Sequence, residues 1–318
     1  MRIVLDMDPG IDDAVALLLA LNSPKLEIAA ITTVSGNVGV RKVTRNALRL
    51  VQSMSSPVPV YMGASRPAGL GSGRPTRAES IHGRDGLGNS HLPKPERSAE
   101  KLNAVEMMAE LLKSSRRKEI SVVATGPLTN LAMLIMNEPS LARKLGGIYV
   151  MGGLYDPAAR GNVTKYAEFN FYSDAPSADL VMRFACKTGT PVVASGLELT
   201  SRAECAVDSK SLQAICAIGS SPSNIACRIL RWPVRIHSFF NLHDVFALFA
   251  MLHPDIFTTE KCSISVVHSG RFRGRCKVVV AAPHGGKNNN NNDNNNNIHV
   301  CKSVNTLKFN QLVLDGLR

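Results

Sequence analysis

The chain has 318 residues, 44% of them hydrophobic and 19% charged, with a formal net charge of +12. That composition suits a globular protein with a substantial core and excludes a charge-rich disordered chain. The surplus of basic residues is scattered or loosely grouped, as in Lys113-Ser114-Ser115-Arg116-Arg117-Lys118, and aromatics are only 5% of the chain, so no nucleic-acid partner is expected.

From the N-terminus, apolar runs of strand length alternate with amphipathic runs of helix length. Strands are predicted at 2–5, 27–34, 58–61, 120–124, 147–151 and 191–195, with helices at 12–21, 40–54, 103–112 and 128–136. This alternation argues for an α/β fold, a mostly parallel central sheet flanked by helices. After Gly196 the pattern turns helical, through 209–218, 223–229 and 244–252. A small C-terminal strand extension follows at 263–268, 276–281 and 299–303, and a closing helix starts at Asn305. No internal repeat or linker appears, so one domain over 1–318 is expected.

Met1 leads directly into the strand-like Arg2-Ile3-Val4-Leu5, which leaves no room for a secretory leader. Apolar stretches such as 14–21 are too short to span a bilayer. A cytoplasmic protein without a membrane partner is the expectation. The seven cysteines, Cys186, Cys205, Cys216, Cys227, Cys262, Cys276 and Cys301, are odd in number and widely spaced, which favours reduced thiols over zinc or disulfides. Two loops stand out. Residues 63–95 are rich in Gly, Pro, Ser and Arg and have the length of a functional lid. Residues 288–297 are asparagine except for Asp293, which reads as a disordered insertion between two strands.

The chemistry is concentrated after the first strand, in Asp6-Met7-Asp8-Pro9-Gly10-Ile11-Asp12-Asp13-Ala14. Four carboxylates at the C-terminal end of a strand, where open α/β sheets bind ligands, repel one another and call for a cation. Helix capping would use one or two of them. Oxygen donors without His or Cys suit Ca²⁺ or Mg²⁺ rather than zinc.

This run resembles the signature of the inosine–uridine-preferring nucleoside hydrolase family. The resemblance continues in family order through Thr32-Thr33-Val34-Ser35-Gly36-Asn37, Thr44-Arg45-Asn46-Ala47, His82-Gly83, Ala124-Thr125-Gly126-Pro127-Leu128-Thr129-Asn130 and Val150-Met151-Gly152-Gly153. It resumes at Gly161-Asn162, Ala167-Glu168-Phe169-Asn170 and Leu242-His243-Asp244. It implies hydrolysis of the N-glycosidic bond of ribonucleosides by a homo-oligomer, dimer or tetramer, with one Ca²⁺ per subunit. By the same resemblance Asp8, Asp13, Asp244 and the Thr125 carbonyl hold the ion, and Asp8 is the base that activates water. Asp12, Asn37, Met151, Asn162, Glu168 and Asn170 then bind the ribose, and His243 protonates the departing base. His82 and His237 are weaker candidates for the base pocket. Glu198, where the family commonly has Asp, and Asp174-Ala175-Pro176, in place of a commoner Asp-Pro, depart from the pattern.

Three other readings compete. A haloacid-dehalogenase-type phosphatase also starts from Asp-x-Asp, but expects Gly followed by Thr or Val where this chain has Pro9-Gly10. A nucleoside phosphorylase needs a phosphate cradle, and no Gly-rich loop with a nearby Lys opens a helix. A non-catalytic nucleoside-binding protein would not need base, proton donor and metal ligands together.

Overall fold

Side-chain alternation along the first strand sets the two faces of the molecule. In β1 (Arg2–Met7), Ile3, Leu5 and Met7 join one apolar cluster and Val4 joins another on the opposite face. The computed structural model describes residues 1–68, 78–280 and 297–318. β1 is followed by α1 (Ile11–Leu21), β2 (Glu27–Thr33), α2 (Val40–Ser53), β3 (Val60–Met62), α3 (Glu79–His82) and α4 (Ala104–Ser114). Next come β4 (Ile120–Ala124), α5 (Thr129–Asn137), α6 (Pro139–Ala142), β5 (Gly147–Met151), α7 (Phe169–Ser173), α8 (Ala175–Thr188), β6 (Val192–Ser195) and α9 (Leu197–Thr200). The remainder holds β7 (Val207–Asp208), α10 (Ser209–Ile218), α11 (Ser221–His237), β8 (Phe239–Phe240) and α12 (His243–Leu252). It closes with β9 (Phe257–Val266), β10 (Cys276–Val280), β11 (Ile298–Val304) and α13 (Thr306–Gly316).

Nine strands form one sheet in the order β10-β9-β11-β6-β5-β4-β1-β2-β3. All neighbours are parallel except β9, which runs antiparallel to β10 and β11. The expected α/β architecture is therefore the one observed. One apolar layer combines α1, α11, α12 and α13 with β1, and the other combines α4, α5 and α8 with β4 and β5. α1 is buried from Ile11 to Ala20, because other helices cover the side it turns away from the sheet. Leaving β1, the chain builds β2 and β3 on one side, then returns to place β4 on the other. Such a reversal opens a crevice at the strand ends, the usual ligand site of open α/β sheets.

Four details differ from the sequence reading, the first being α8, a helix of 14 residues between β5 and β6 that was not named there. The helix expected at 223–229 runs from Ser221 to His237 across Pro233. Cys216 and Cys227 form a disulfide between α10 and α11, against the expectation of thiols throughout. The two helices form a hairpin that brings the cysteines' Cα atoms to 5.1 Å, a proximity that spacing alone does not reveal. Cys186, Cys205, Cys262, Cys276 and Cys301 are free. The expected strand at 263–268 begins earlier, at Phe257. Part of the 63–95 loop and the asparagine tract, apart from Asn297, lie outside the described residues. Among those described, no helix is long and apolar enough to cross a membrane.

Candidate active site

The turn between β1 and α1 packs against the Ser35-Gly36-Asn37 segment after β2. The Asn37 backbone N–H donates to Asp8 Oδ2 at 2.6 Å, and its side-chain amide donates to the Asp8 carbonyl and to Asp13 Oδ2, each at 3.1 Å. Asp13 also accepts from the Gly10 N–H at 2.9 Å and from the Thr125 hydroxyl at 2.7 Å. Glycine is required at two of these positions. A Cβ on Gly36 would stand 1.8 Å from Asp8 Oδ2, and one on Gly10 would stand 2.6 Å from both Asn37 Nδ2 and His82 Nδ1.

The first turn of α12 adds Asp244 to this cluster. One carboxylate oxygen from each of Asp12, Asp13 and Asp244 lies within 4.8 Å of the others. Asp8 is buried alongside them, with Oδ1 lacking any hydrogen-bond partner, as does Oδ1 of Asp12. Burial lifts the carboxyl of Asp12 to about 8 and those of Asp8 and Asp244 well above the usual range, and their mutual repulsion adds to it. Burial also raises Asp13, against the hydrogen bonds it accepts. Among the described residues no Lys or Arg pairs with any of the four. Converging oxygen donors, orphaned acceptors and the absence of a protein cation fit a hard divalent ion.

Above the carboxylates opens a cavity of about 590 Å³. Asn162, Glu168, Asn170 and Met151 contribute to its wall, with Asp12, Asn37 and Thr125 toward the floor. Glu168 caps α7: its carboxylate accepts from the N–H groups of Asn170, Gly153 and Phe171 at 2.7, 2.8 and 3.0 Å. Burial outweighs those bonds and lifts its carboxyl to about 7. The Asn170 amide donates to the Thr125 carbonyl at 2.7 Å and to the Met151 carbonyl at 3.1 Å, which ties this wall to β4 and β5.

Ile81, Phe239 and Phe240, together with His82, His237 and His243, also line the cavity. His82 Nδ1 accepts the Ile11 N–H at 3.0 Å, which leaves the ring proton on Nε2. Its ring meets Phe240 edge-on at 6.3 Å. His243 Nδ1 lies 2.8 Å from the Thr200 hydroxyl of α9. Burial pushes His82 down to about 3, and the nearby His243 adds to the shift. Burial alone pushes His243 down to about 4. His237 is exposed at the end of α11.

Residues 3–311 match the family described as inosine-uridine preferring nucleoside hydrolase. The chain belongs to that family. The pyrimidine-specific ribonucleoside hydrolase RihA of Salmonella enteritidis is 36% identical over 285 residues, covering 87% of this chain and 88% of that protein. Among solved structures, the plant nucleoside hydrolase PpNRh1 is similar at a TM-score of 0.88 and 27% identity, covering 99% of this chain and 98% of its own. The purine-preferring ribonucleoside hydrolase from Gardnerella vaginalis gives the same TM-score and identity, covering 100% of this chain and 98% of its own.

In this nucleoside hydrolase, eleven of the thirteen residues singled out from the sequence line one cavity, and Asp8 and Asp13 are bonded to its Asn37. The sequence reading did not name Ile81, Phe240 and Asn241, although two of them stand immediately before the Leu242-His243-Asp244 run. Thr200 was missed for a different reason: only the fold brings α9 beside α12. Of the two departures, Glu198 accepts the Tyr155 N–H at 3.2 Å, and Asp174 caps α8 while accepting from Thr129 at 2.7 Å. Neither lines the cavity.

Proposed function

We propose that the chain hydrolyses the N-glycosidic bond of ribonucleosides, purine, pyrimidine or both, as one domain over 1–318 with one Ca²⁺ per subunit. The observation that carries this reading is the buried cluster of Asp8, Asp12, Asp13 and Asp244 beneath a cavity that joins hydroxyl-binding Asn and Glu side chains to aromatic rings. Asp8, Asp13, Asp244 and the Thr125 carbonyl would hold the ion. When bound, Ca²⁺ supplies a site for the sugar diol and makes a bound water easier to deprotonate.

The chain's own groups do the rest. Asp8 Oδ1, free of hydrogen bonds, takes the proton from the attacking water. Asp12, Asn37, Asn162, Glu168 and Asn170 offer donors and acceptors to the ribose hydroxyls, and Met151 packs beside the sugar. Carboxylates near the ring oppose the oxocarbenium charge that grows as the bond breaks. His243 hands a proton to the departing base. Its burial keeps the ring neutral at rest, so it first takes that proton from solvent reaching the cavity it lines, and the Thr200 hydroxyl can accept from Nδ1–H of the resulting imidazolium. His82 and His237, with Phe239 and Phe240, would contact the base.

The named relatives divide between pyrimidine-specific and purine-preferring enzymes, so both bases belong in the test. We further read the chain as a cytoplasmic homo-oligomer, dimer or tetramer, with no nucleic-acid or membrane partner. Incubation with inosine and with uridine, each with and without phosphate, tests the activity. Free ribose formed without phosphate is the expected product. A requirement for phosphate would identify a phosphorylase, and binding without turnover a nucleoside-binding protein.

A further inference from the structure

A second cavity, of about 450 Å³, lies where the segment after β5 meets the antiparallel strands β9, β10 and β11. It shares no lining residue with the active-site cavity. Leu154, Val278 and Val300 give it an apolar part, and Lys165, Arg275, Lys277 and Lys302 bring four cations against the two carboxylates of Asp156 and Glu260. Lys302 is matched by Glu260 at 3.6 Å. Among the described residues no carboxylate lies within ion-pair distance of Lys165, Arg275 or Lys277.

Two of these cations are gathered by aromatic rings. The Arg275 guanidinium stands 5.5 Å from the centre of the Tyr166 ring and 5.4 Å from that of Phe272, and the Lys165 ammonium 5.8 Å from Tyr166. Lys165 and Tyr166 belong to a small hairpin closed by the Thr164–Ala167 bridge and by the Gly161 N–H donating to the Lys165 carbonyl at 3.1 Å. Asn162 and Val163 of the same hairpin line the active site. A nucleoside is neutral, so the proposed reaction gives these cations no role.

We infer that this cavity binds the phosphate group of a small metabolite. Three cations without carboxylate partners answer a dianion better than a single carboxylate, and a guanidinium can take two phosphate oxygens at once. The apolar part accommodates an organic carrier, and the volume lies within the roughly 300–1,000 Å³ of small-molecule sites.

Isothermal titration of the full chain with ribose 5-phosphate, inorganic phosphate and ribose tests this. Ribose 5-phosphate should saturate one site, and binding should weaken about tenfold or more in Arg275→Glu/Lys277→Glu. It should persist in Asp13→Asn, which damages only the active site. Both reversed side chains are exposed, and unchanged melting and uridine turnover in the double variant would show that it is folded. Arg275→Gln/Lys277→Gln provides a milder second variant with the same expected direction. Inorganic phosphate binding equally well would place recognition in the phosphate alone, whereas tighter ribose 5-phosphate would assign the apolar part to its carrier. No saturable binding, binding insensitive to both double variants, or binding lost in Asp13→Asn would each overturn the proposal.

Discussion

Asp8 is held from behind by a glycine. Because a Cβ at position 36 would come within 1.8 Å of Asp8 Oδ2, Gly36→Ala must push that carboxylate aside. A misplacement of about 1 Å near reacting groups typically costs about 10² in rate. Gly36→Ala is therefore expected to keep its helical circular dichroism while losing about that much turnover on uridine, and full activity would mean that Asp8 tolerates displacement. His243 gives a sharper test. If it protonates the base, His243→Ala should lose about 10²-fold or more on inosine yet keep much of its rate on p-nitrophenyl riboside, whose leaving group departs as an anion. Equal losses on both substrates would instead make His243 a support for Asp244. At this scale the aspartate run was legible because strand, turn and helix follow one another within a dozen residues. The Thr200 hydroxyl against His243, and the Asn130 amide donating to Asp6 at 2.7 Å, were not, since each joins segments far apart in the chain.

Helix α11 shows what element boundaries conceal. Pro233 has no N–H to return to the Ile229 carbonyl, and Gly88 packs so close that a Cβ there would stand 2.3 Å from that oxygen. The Gly88 N–H in turn donates to the His82 carbonyl at 2.9 Å, so α3 and α11, which carry His82 and His237, meet at one glycine. Periodicity located most of the longer strands and helices, because their apolar faces are buried, but the 14-residue α8 was not named among them. The short α3, α7 and α9 have too few residues for a period to show. The α10–α11 disulfide lies in the same category. Thiol titration of the denatured, unreduced chain should find five free cysteines, and finding all seven would exclude the bond. Cys216→Ser should lower stability by about 2–4 kcal/mol in chemical denaturation and leave the active site intact.

Across the whole molecule, the order of the sheet decides where the carboxylates meet. Asp6, Asp12 and Glu168 have carboxyls lifted by burial to about 6, about 8 and about 7. The fold therefore prefers their protonated forms, and the unfolded chain ionises first as pH rises. Their contribution to stability is complete below about pH 4 and is lost progressively as pH rises through these raised values. Chelator-treated protein is expected to melt at lower temperature at about pH 8 than at about pH 5. Added Ca²⁺ favours the ionised carboxylates and should flatten or reverse that trend. Superimposable melting profiles with and without Ca²⁺ would remove the ion from the site. The parallel sheet itself was legible from strand–helix alternation, but the order of its strands, and so the crevice beside β1, was not.

Asp8 and Asp13 come from the first turn of the chain, Thr125 from its middle and Asp244 from α12. Strand β1 pairs with β4, whose sequence lies far from its own, and α1 packs against α12. No fragment lacking the β1–α1 turn, the end of β4 or α12 can hold this full set of oxygens, and contacts between such distant segments form slowly. A luminescent lanthanide seated among them would thus act as a clock for folding, dark while β1 and β4 are unpaired and lit only when the β1–α1 turn and α12 have met.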